Sequence, residues 1–259
     1  MDKSKIEWCD STWNPVTGCL HGCEYCYARK IAERFKPFDL PHLTEKGVYE
    51  RINELDTPFI TACKDGKDRI CAYPYGFEPT MHSYRLNEPQ KWRKPRTIFV
   101  CSMADLFGEW VPDRWIETVF EACEKDPQHR YLFLTKNPQR YGELARVGKL
   151  PQRDNMWYGS TLDSMKAKRY SGRFLDNTFV SIEPLTEYMD VGLGSFGRAK
   201  WVIIGAETGN RKNKVIPKKE WIDKICEAAN ITRMAVFMKD SLIPIVGEEN
   251  MRREFPWNK

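Results

Sequence analysis

The order of hydrophobic and polar positions predicts an alternation of short strands and helices beyond residue 95. Six apolar segments have the length and composition of strands, and three amphipathic segments have helical spacing. The predicted strands are Thr97–Ser102, Arg130–Thr135, Asn155–Thr161, Thr178–Ile182, Lys200–Gly205 and Met234–Met238. The predicted helices are Pro112–Lys125, Gln139–Gly148 and Lys218–Asn230. Continuous apolar runs such as Trp201–Ile204 are typical of strands that are covered on both faces in a parallel sheet.

The N-terminal part of the chain adds one strand and one helix to this pattern. The segment Thr12–Thr17 is strand-like, and Tyr27–Phe35 has apolar residues at helical spacing before Pro37 ends it. Seven strands that alternate with helices predict the α/β class. We expect a partial or closed (β/α) barrel of the TIM type, with a flavodoxin-like open sheet as the structural alternative.

Residues 36–95 interrupt the alternation. This segment contains seven prolines, and Cys63 and Cys71 flank a Lys-Asp-Gly-Lys-Asp sequence that predicts a hairpin turn between two strands. We therefore predict a single domain over residues 1–259 with an insertion at residues 36–95. This insertion is expected to cover the mouth of the barrel or to shape the substrate site.

Composition narrows the class of protein. Hydrophobic residues make up 41% of the 259 residues, which is too much for a disordered chain. No apolar run approaches the roughly 18–20 residues of a membrane span, and the first residues have no secretory signal. We therefore expect a cytoplasmic protein with no membrane partner, in the host cytoplasm if a phage encodes it. The net charge of +5 permits an anionic partner without requiring one.

Nine cysteines in a chain without a secretory signal favour a metal or redox site over disulfides. Six are scattered, and those in apolar segments, such as Cys101 and Cys123, are predicted to pack in the core. The other three lie within eight residues, in Cys-Leu-His-Gly-Cys-Glu-Tyr-Cys at positions 19–26. Glycines at positions 18 and 22 allow this loop to curl so that its sulfurs converge. A structural zinc site would need His21 or Cys9 as its fourth ligand, whereas three thiolates can hold a [4Fe–4S] cluster with one iron left open.

The spacing Cys19-x3-Cys23-x-Tyr25-Cys26 resembles the signature of the radical S-adenosylmethionine (SAM) enzymes. The resemblance implies that the three cysteines bind a [4Fe–4S] cluster whose fourth iron takes the amino and carboxylate groups of SAM. It also implies a partial TIM barrel with this loop after its first strand. Reduction of such a cluster implies a one-electron reductant of the flavodoxin or ferredoxin type.

Ionisable residues follow most of the predicted strands. In barrel enzymes the carboxyl ends of the strands carry the active site, so these residues are expected to converge on one pocket. They are Asp105, Lys136, Glu183, Glu207 and Lys239.

Further motifs extend the resemblance over nearly the whole chain, in order. The sequence is similar to the phage Gp37/Gp68-type family, a group of radical-SAM-like proteins. The matching segments are Glu7–Cys19, Ser102–Phe107, Leu134–Lys136, Glu183–Leu185, Trp201–Glu207 and Phe237–Lys239. The sequence departs from that pattern in the closer spacing of Cys19 and Cys23 and at Gly108, Asn137 and Ala206, where many members have His, Arg and Gly.

The resemblance also implies residue roles. Besides the three cluster cysteines, Tyr25 would lie against adenine, and Ser102 and Met103 would be at the strand end that contacts the methionyl amino group. Ribose and carboxylate contacts would come from Ser160 or Thr161, Glu183 and Lys136. The candidates for substrate binding or proton handling are Glu207, Lys239 and Asp105.

The expected function is hydrogen abstraction from a substrate by a 5′-deoxyadenosyl radical. A nucleobase, a nucleotide or nucleic acid is our first choice of substrate. The net charge, the basic stretch Arg211–Lys214 with Lys218 and Lys219, and nine Trp and eleven Tyr residues that could stack on bases favour it. The alternative interpretation of these features is that the basic stretch is a solvated loop and the aromatic residues belong to the core. The alternative functions are a radical SAM enzyme that acts on a peptide or small metabolite, and a non-catalytic zinc or iron–sulfur module.

Overall fold

The computed structural model describes residues 4–37, 52–62, 67–167, 169, 175–192 and 194–258. The chain divides into two compact units. We call residues 11–131 the N-terminal unit, and residues 132–258 together with residues 4–10 the C-terminal unit.

The N-terminal unit begins with the first strand and the cysteine loop. Its elements are β1 (Ser11–Trp13), β2 (Val16–Thr17), α1 (Tyr27–Phe35), β3 (Asn53–Leu55), β4 (Ile60–Ala62), β5 (Asp68–Ile70), β6 (Thr80–His82), β7 (Thr97–Val100) and α2 (Asp113–Lys125). Strand β1 pairs in parallel with β7. Strands β2, β6 and β3 form a small sheet, and β4 pairs with β5 in antiparallel orientation.

The C-terminal unit contains the longer strands. After β8 (Arg130–Thr135), which crosses the boundary between the units, come α3 (Gln139–Arg146), β9 (Met156–Thr161), β10 (Thr178–Ile182), β11 (Trp201–Ile204), α4 (Lys219–Ile231), β12 (Ala235–Met238) and α5 (Ile243–Val246). Strands β9 to β12 pair in parallel, each with the next along the chain.

The order of strands decides between the two predicted architectures. In the described part of the chain the main sheet has seven strands in the order β1-β7-β8-β9-β10-β11-β12. This order follows the chain without the reversal that defines a flavodoxin-like sheet. Strands β1 and β12 are the two ends of the order, so the sheet is open. The α/β class and the partial TIM-like barrel are confirmed, and the closed barrel is not observed in the described residues.

One predicted strand is wrong in its extent. The segment 12–17 forms two strands in two different sheets, β1 in the main sheet and β2 beside β6. Asn14 and Pro15 separate them, and Pro15 has no N–H to donate to a ladder. Its carbonyl instead accepts a hydrogen bond from the His82 amide at 2.7 Å. The other predicted strands and helices are confirmed to within two residues at each end.

Strands β10 to β12 are buried on both faces. One face packs against α4 in the core of the C-terminal unit, through Val180, Ile182, Val202, Ile204, Val236, Ile222 and Ile225. The opposite face carries an aromatic cluster around Trp201, which contacts the rings of Trp8, Phe179, Phe237, Phe255 and Trp257. Burial on both faces explains why these strands are apolar without alternation.

The predicted insertion contains β3 to β6, and the antiparallel pairing of β4 with β5 confirms the predicted hairpin strands. Cys63 and residues 64–66 of its turn lie outside the described residues, as do residues 38–51. Cys101 and Cys123 are buried, as predicted. No helix among the described residues is both long and apolar enough to cross a membrane.

Candidate active site

The cysteine loop starts with a close backbone approach. Gly18 has a φ of +87°, in the left-handed region, and its N–H donates to the Met103 carbonyl at 2.9 Å. A Cβ at position 18 would lie 2.2 Å from the carbonyl oxygen of Glu78, so the backbone leaves no room for a side chain. Gly22 also has a positive φ, +71°, but the space around it is open.

None of the three cysteines of the loop forms a disulfide, and all three are half-buried. Cys26 is the N-cap of α1, where its sulfur accepts the Arg29 N–H at 3.3 Å. The Cys26 N–H donates to the Cys23 carbonyl at 3.2 Å, and the Cys19 N–H donates to the Phe77 carbonyl at 3.1 Å. The helix N-terminus is a favourable place for a thiolate, because its N–H groups and dipole stabilise negative charge.

Electrostatic interaction links the thiols with one another and with Asp105. Burial raises the pKa of the Cys19 thiol to about 12, a backbone hydrogen bond from His21 opposes that shift, and negative charge on Asp105, Cys23 and Cys26 adds to it. A bound cation would offset all of these charges, as metal ions do for thiolate ligands.

The donor chemistry of this loop suits an iron–sulfur cluster. No three His, Cys, Asp or Glu side chains within the described ranges are grouped so as to hold one metal ion. An iron–sulfur cluster takes each thiolate on a different iron, so its ligands need not surround a single ion. Three half-buried cysteines that form no disulfide, on one glycine-containing loop, therefore fit a cluster, and their assignment as ligands remains a prediction.

His21 joins the cysteine loop to Asp105. His21 Nε2 donates to Asp105 Oδ2 at 2.7 Å, and the other oxygen, Oδ1, accepts the Phe107 N–H at 3.0 Å. The His21 ring also packs edge-on against Trp110, with centroids 4.9 Å apart. Asp105 is therefore a buried acid with both oxygens engaged.

Asn14 organises the strand end that contains Ser102 and Met103. Its Oδ1 accepts the Ser102 hydroxyl at 3.1 Å and the Met103 N–H at 2.9 Å. Tyr27, at the start of α1, donates its hydroxyl to the Ser102 carbonyl at 2.7 Å. Tyr25, the predicted adenine contact, is half-buried in the same unit.

Lys136 and Glu207 each form an ion pair with a residue outside the predicted set. Lys136 contacts Asp163 at 2.5 Å after β8. Glu207, after β11, is almost completely buried and accepts Nε and Nη2 of Arg211 at 2.6 and 2.7 Å. Ser160 and Thr161 at the end of β9 are both buried.

A second charged group joins the ends of β10 and β12. Lys239 hydrogen-bonds Glu183, and its Nζ lies 3.7 Å from a carboxylate oxygen of Glu7. Burial acts to lower the pKa of Lys239, but the charges and hydrogen bonds of Glu183 and Glu7 outweigh it, so the pKa lies above its usual 10.5. Gly205 makes room for this pair, since a Cβ there would lie 3.0 Å from Lys239 Cδ.

The predicted convergence of five ionisable residues on one pocket stays a prediction, and the structure shows the individual contacts of each. Asp105 contacts the cysteine loop of the N-terminal unit. In the C-terminal unit Glu183 and Lys239 contact each other, whereas Lys136 and Glu207 each have a partner of their own.

A model of a family described as "Protein of unknown function (DUF5131)" matches residues 3–242. The chain belongs to the DUF5131 family. No curated protein matches it. A search of solved structures found a spore photoproduct lyase complexed with a dinucleoside spore photoproduct. That chain is 11% identical, and the match has a TM-score of 0.46 and covers 90% of this chain and 64% of the other.

Several contacts of this DUF5131 protein were missed by sequence reasoning. Asn14 and Glu7 both lie in the N-terminal motif, but nothing in their spacing indicates partners at positions 102 and 239. Arg211 belongs to the basic stretch, and its ion pair with Glu207 is not predictable from the spacing, because residues 207–211 form no helix. His21 was considered as a metal ligand, and its bond to Asp105 was not predicted.

Proposed function

We propose that this DUF5131 protein is a radical SAM enzyme. The observation that carries the proposal is the cysteine loop, in which three cysteines that form no disulfide follow the first strand of a parallel sheet and the last of them caps α1. A bound [4Fe–4S] cluster would supply one electron for cleavage of SAM into methionine and a 5′-deoxyadenosyl radical, which then abstracts hydrogen from the substrate. Membership of the phage Gp37/Gp68-type family rests on the sequence motifs alone.

In this proposal the N-terminal unit holds the cofactors. Cys19, Cys23 and Cys26 bind the cluster, and Tyr25 lies against the adenine of SAM. Ser102 and Met103 bind the methionyl amino group. The Asn14 side chain supports that role, because it fixes both the Ser102 hydroxyl and the Met103 amide. A preorganised polar edge needs no rearrangement when a ligand arrives.

The remaining polar contacts are proposed for residues at the carboxyl ends of β8 to β12. Ser160 or Thr161, together with Glu183, binds the ribose and carboxylate of SAM, with Lys136 as a cation for the carboxylate. Glu207 and Lys239 bind the substrate or handle a proton. The Glu183–Lys239 contact supports the proposed role of Lys239, because its buried ammonium stays charged beside two carboxylates and can donate to a polar group.

We further propose a nucleobase, a nucleotide or nucleic acid as the substrate. Support comes from the net charge of +5 and from the exposed lysines at positions 212, 214, 218 and 219. Trp201 and Trp8 lie in the core of the C-terminal unit, so base stacking would depend on other aromatic residues. A peptide or small metabolite is the alternative substrate.

The reaction class is tested by anaerobic reconstitution with iron and sulfide, reduction, addition of SAM and chromatography for 5′-deoxyadenosine. We expect the product from the wild type and its loss in Cys23→Ala. Cys226→Ala is the matched control, since Cys226 is also half-buried but lies on α4. A wild type with a complete, reduced cluster and no 5′-deoxyadenosine would contradict the proposal.

A second candidate is a structural zinc site with the three cysteines and His21 as ligands. The bond between His21 and Asp105 favours it, because a metal-binding histidine usually donates its other ring N–H to a carboxylate. The grouping of the described side chains opposes it, because no three of them are placed to hold one ion. Metal analysis of the anaerobically purified protein separates the two. A brown protein with about four irons per chain, the content of one [4Fe–4S] cluster, supports the enzyme. A colourless protein with one zinc per chain supports the structural site.

The class of substrate is tested by binding labelled single-stranded DNA and RNA over a salt series. Phosphate contacts release counterions, so affinity should fall steeply as salt rises. Substitution of Lys212 and Lys214 by Gln should flatten the slope. Equal affinity at all salt concentrations would favour the peptide or metabolite alternative.

A further inference from the structure

Asp105 lies in a rigid connection between β7 and α2. Cys101 begins this connection at a φ of +58°, a conformation that few residues other than Gly adopt, and its N–H donates to the Trp13 carbonyl at 2.7 Å. The Ala104 N–H donates a hydrogen bond to the Cys101 carbonyl at 3.0 Å, which closes a turn. Asp105 adds its own bond to the Phe107 N–H, and its side chain is only 7% exposed. The carboxylate is therefore held in one orientation before it meets the cysteine loop.

His21 is held from two sides. Asp105 accepts its Nε2–H at 2.7 Å, and the Trp110 ring packs against it at 4.9 Å. Trp110 can lie there only because residue 108 is glycine, since a Cβ at Gly108 would be 2.4 Å from the indole. Glycine at position 108, where the Gp37/Gp68-type pattern often has His, thus provides the space that Trp110 needs.

Gly22 gives the loop between Cys19 and Cys23 conformational freedom near its centre. Gly22 has a positive φ and open space around its α-carbon. Glycine gains the most conformational freedom when its backbone is released, so an unrestrained loop would sample many positions of the sulfurs. A charge-assisted hydrogen bond is among the stronger restraints available to such a segment.

We propose that Asp105 is a positioning residue that fixes the cysteine loop through His21 and places a carboxylate charge beside the cluster site. The part that concerns the cluster rests on the proposed function, and the part that concerns the loop does not. The 2.7 Å bond to His21, which lies between Cys19 and Cys23 in the sequence, supports the placement of the charge. Net charge and hydrogen bonding around a cluster are among the factors that set its reduction potential.

Three variants separate the two effects. Asp105→Asn removes the charge and keeps the shape, His21→Ala removes the tether, and His21→Gln restores a polar side chain of similar reach. Asp126→Asn is the matched control, because Asp126 is also a buried acid of the N-terminal unit. It follows the far end of α2, a 13-residue helix that is about 20 Å long.

The positioning effect is measured on the protein without its cluster, by amide hydrogen exchange of residues 19–26. Loss of one hydrogen bond to a charged group should raise local opening about tenfold or more. We expect that increase in His21→Ala, partial recovery in His21→Gln and wild-type exchange in Asp126→Asn. Exchange in His21→Ala equal to the wild type would overturn the proposal.

The charge effect is measured by a redox titration of the reconstituted cluster, followed by electron paramagnetic resonance. Reduction adds negative charge, so loss of the Asp105 carboxylate should raise the midpoint potential in Asp105→Asn. Asp126→Asn should have the wild-type potential. Equal potentials in all three proteins would refute the charge effect. A wild type that takes up no iron would refute the proposed function, while the exchange data would still decide whether Asp105 positions the loop.

Discussion

At the scale of single residues, the cysteine loop depends on two glycines with different surroundings. Both have a positive φ, so any other residue would be strained by about 1–2 kcal/mol at either position. Only Gly18 also approaches another part of the backbone, at Glu78 and Pro79. The spacing of the cysteines was readable from the sequence because neighbouring residues carry it. The bond between His21 and Asp105 was not, because 84 positions separate its partners and no local pattern encodes it.

We predict that Gly18→Ala disrupts the loop and that Gly22→Ala does not. The added Cβ at position 18 would lie 2.2 Å from a carbonyl oxygen, so the backbone must move, and Cys19 moves with it. We expect Gly18→Ala to lose several kcal/mol of stability and most of its capacity to bind iron. Gly22→Ala should lose only about 1–2 kcal/mol. Denaturant unfolding and iron analysis measure both, and equal losses in the two variants would contradict the explanation.

A buried histidine, His82, makes the free energy of unfolding depend on pH. Burial lowers the pKa of His82 to about 3, and the positive charge of Arg85 adds to the shift. Its ring nitrogens lie 2.9 Å from Thr17 Oγ1 and 3.2 Å from the Tyr84 hydroxyl. An unfolded histidine titrates near 6.5, so between about pH 6.5 and 3 the unfolded chain binds a proton that the folded chain does not. The stabilisation is therefore present above pH 6.5 and is lost as the pH falls.

We predict that His82→Gln has a flatter dependence of unfolding free energy on pH than the wild type. Below pH 6 the two slopes should differ by at most about 1.4 kcal/mol per pH unit, the value for one proton. Urea unfolding at pH 7, 6, 5 and 4 measures the slopes. Parallel curves would show that His82 takes up its proton in the folded state.

At the scale of elements, the C-terminal segment protects the edge of β12. The Met238 N–H donates to the Arg252 carbonyl at 2.8 Å, and the Glu254 N–H donates to the Val236 carbonyl at 2.9 Å. Phe255 and Trp257 complete the aromatic cluster around Trp201. Hydrophobic runs predicted the strands well because burial on both faces leaves a strong signal. This pairing was not predicted, because the segment is short, contains no continuous hydrophobic run and acquires its partner only in the folded chain.

We predict that truncation after Asn250 destabilises the protein and makes it aggregate. It removes two half-buried rings, each worth at most about 3–5 kcal/mol by analogy with aromatic-to-alanine changes in a core, and exposes an unpaired strand edge. Removal of residues 258–259 alone is the control and should have little effect. Thermal unfolding and light scattering measure both, and a truncated protein with wild-type stability would show that the segment is dispensable.

At the scale of the whole molecule, the chain order of the strands and the positions of the motifs combine into one expectation. Each motif follows a strand, so a barrel-type order places every candidate residue at a carboxyl end. The position of these residues after the strands was predictable, because it follows from hydrophobic periodicity and from the order of the motifs along the chain. The pairing of individual charges was not, because it depends on side-chain reach between strands that are distant in sequence. Lys136 illustrates this, since its contact with Asp163 spans 27 positions.

We therefore predict that single substitutions affect cluster content and SAM binding separately. Lys136→Met should weaken SAM binding about tenfold or more, because a charge-assisted hydrogen bond contributes about 1.5–3 kcal/mol, and should leave iron content unchanged. Lys200→Met is the matched control, because Lys200 belongs to the same unit but precedes β11, at the amino end of its strand, where it bonds Asn177. Cys23→Ala should have the opposite effect and lose iron first. Equilibrium dialysis with labelled SAM and iron analysis measure both quantities. Loss of iron in Lys136→Met, or unchanged SAM affinity, would remove Lys136 from the cofactor site and leave its contact with Asp163 as a structural ion pair.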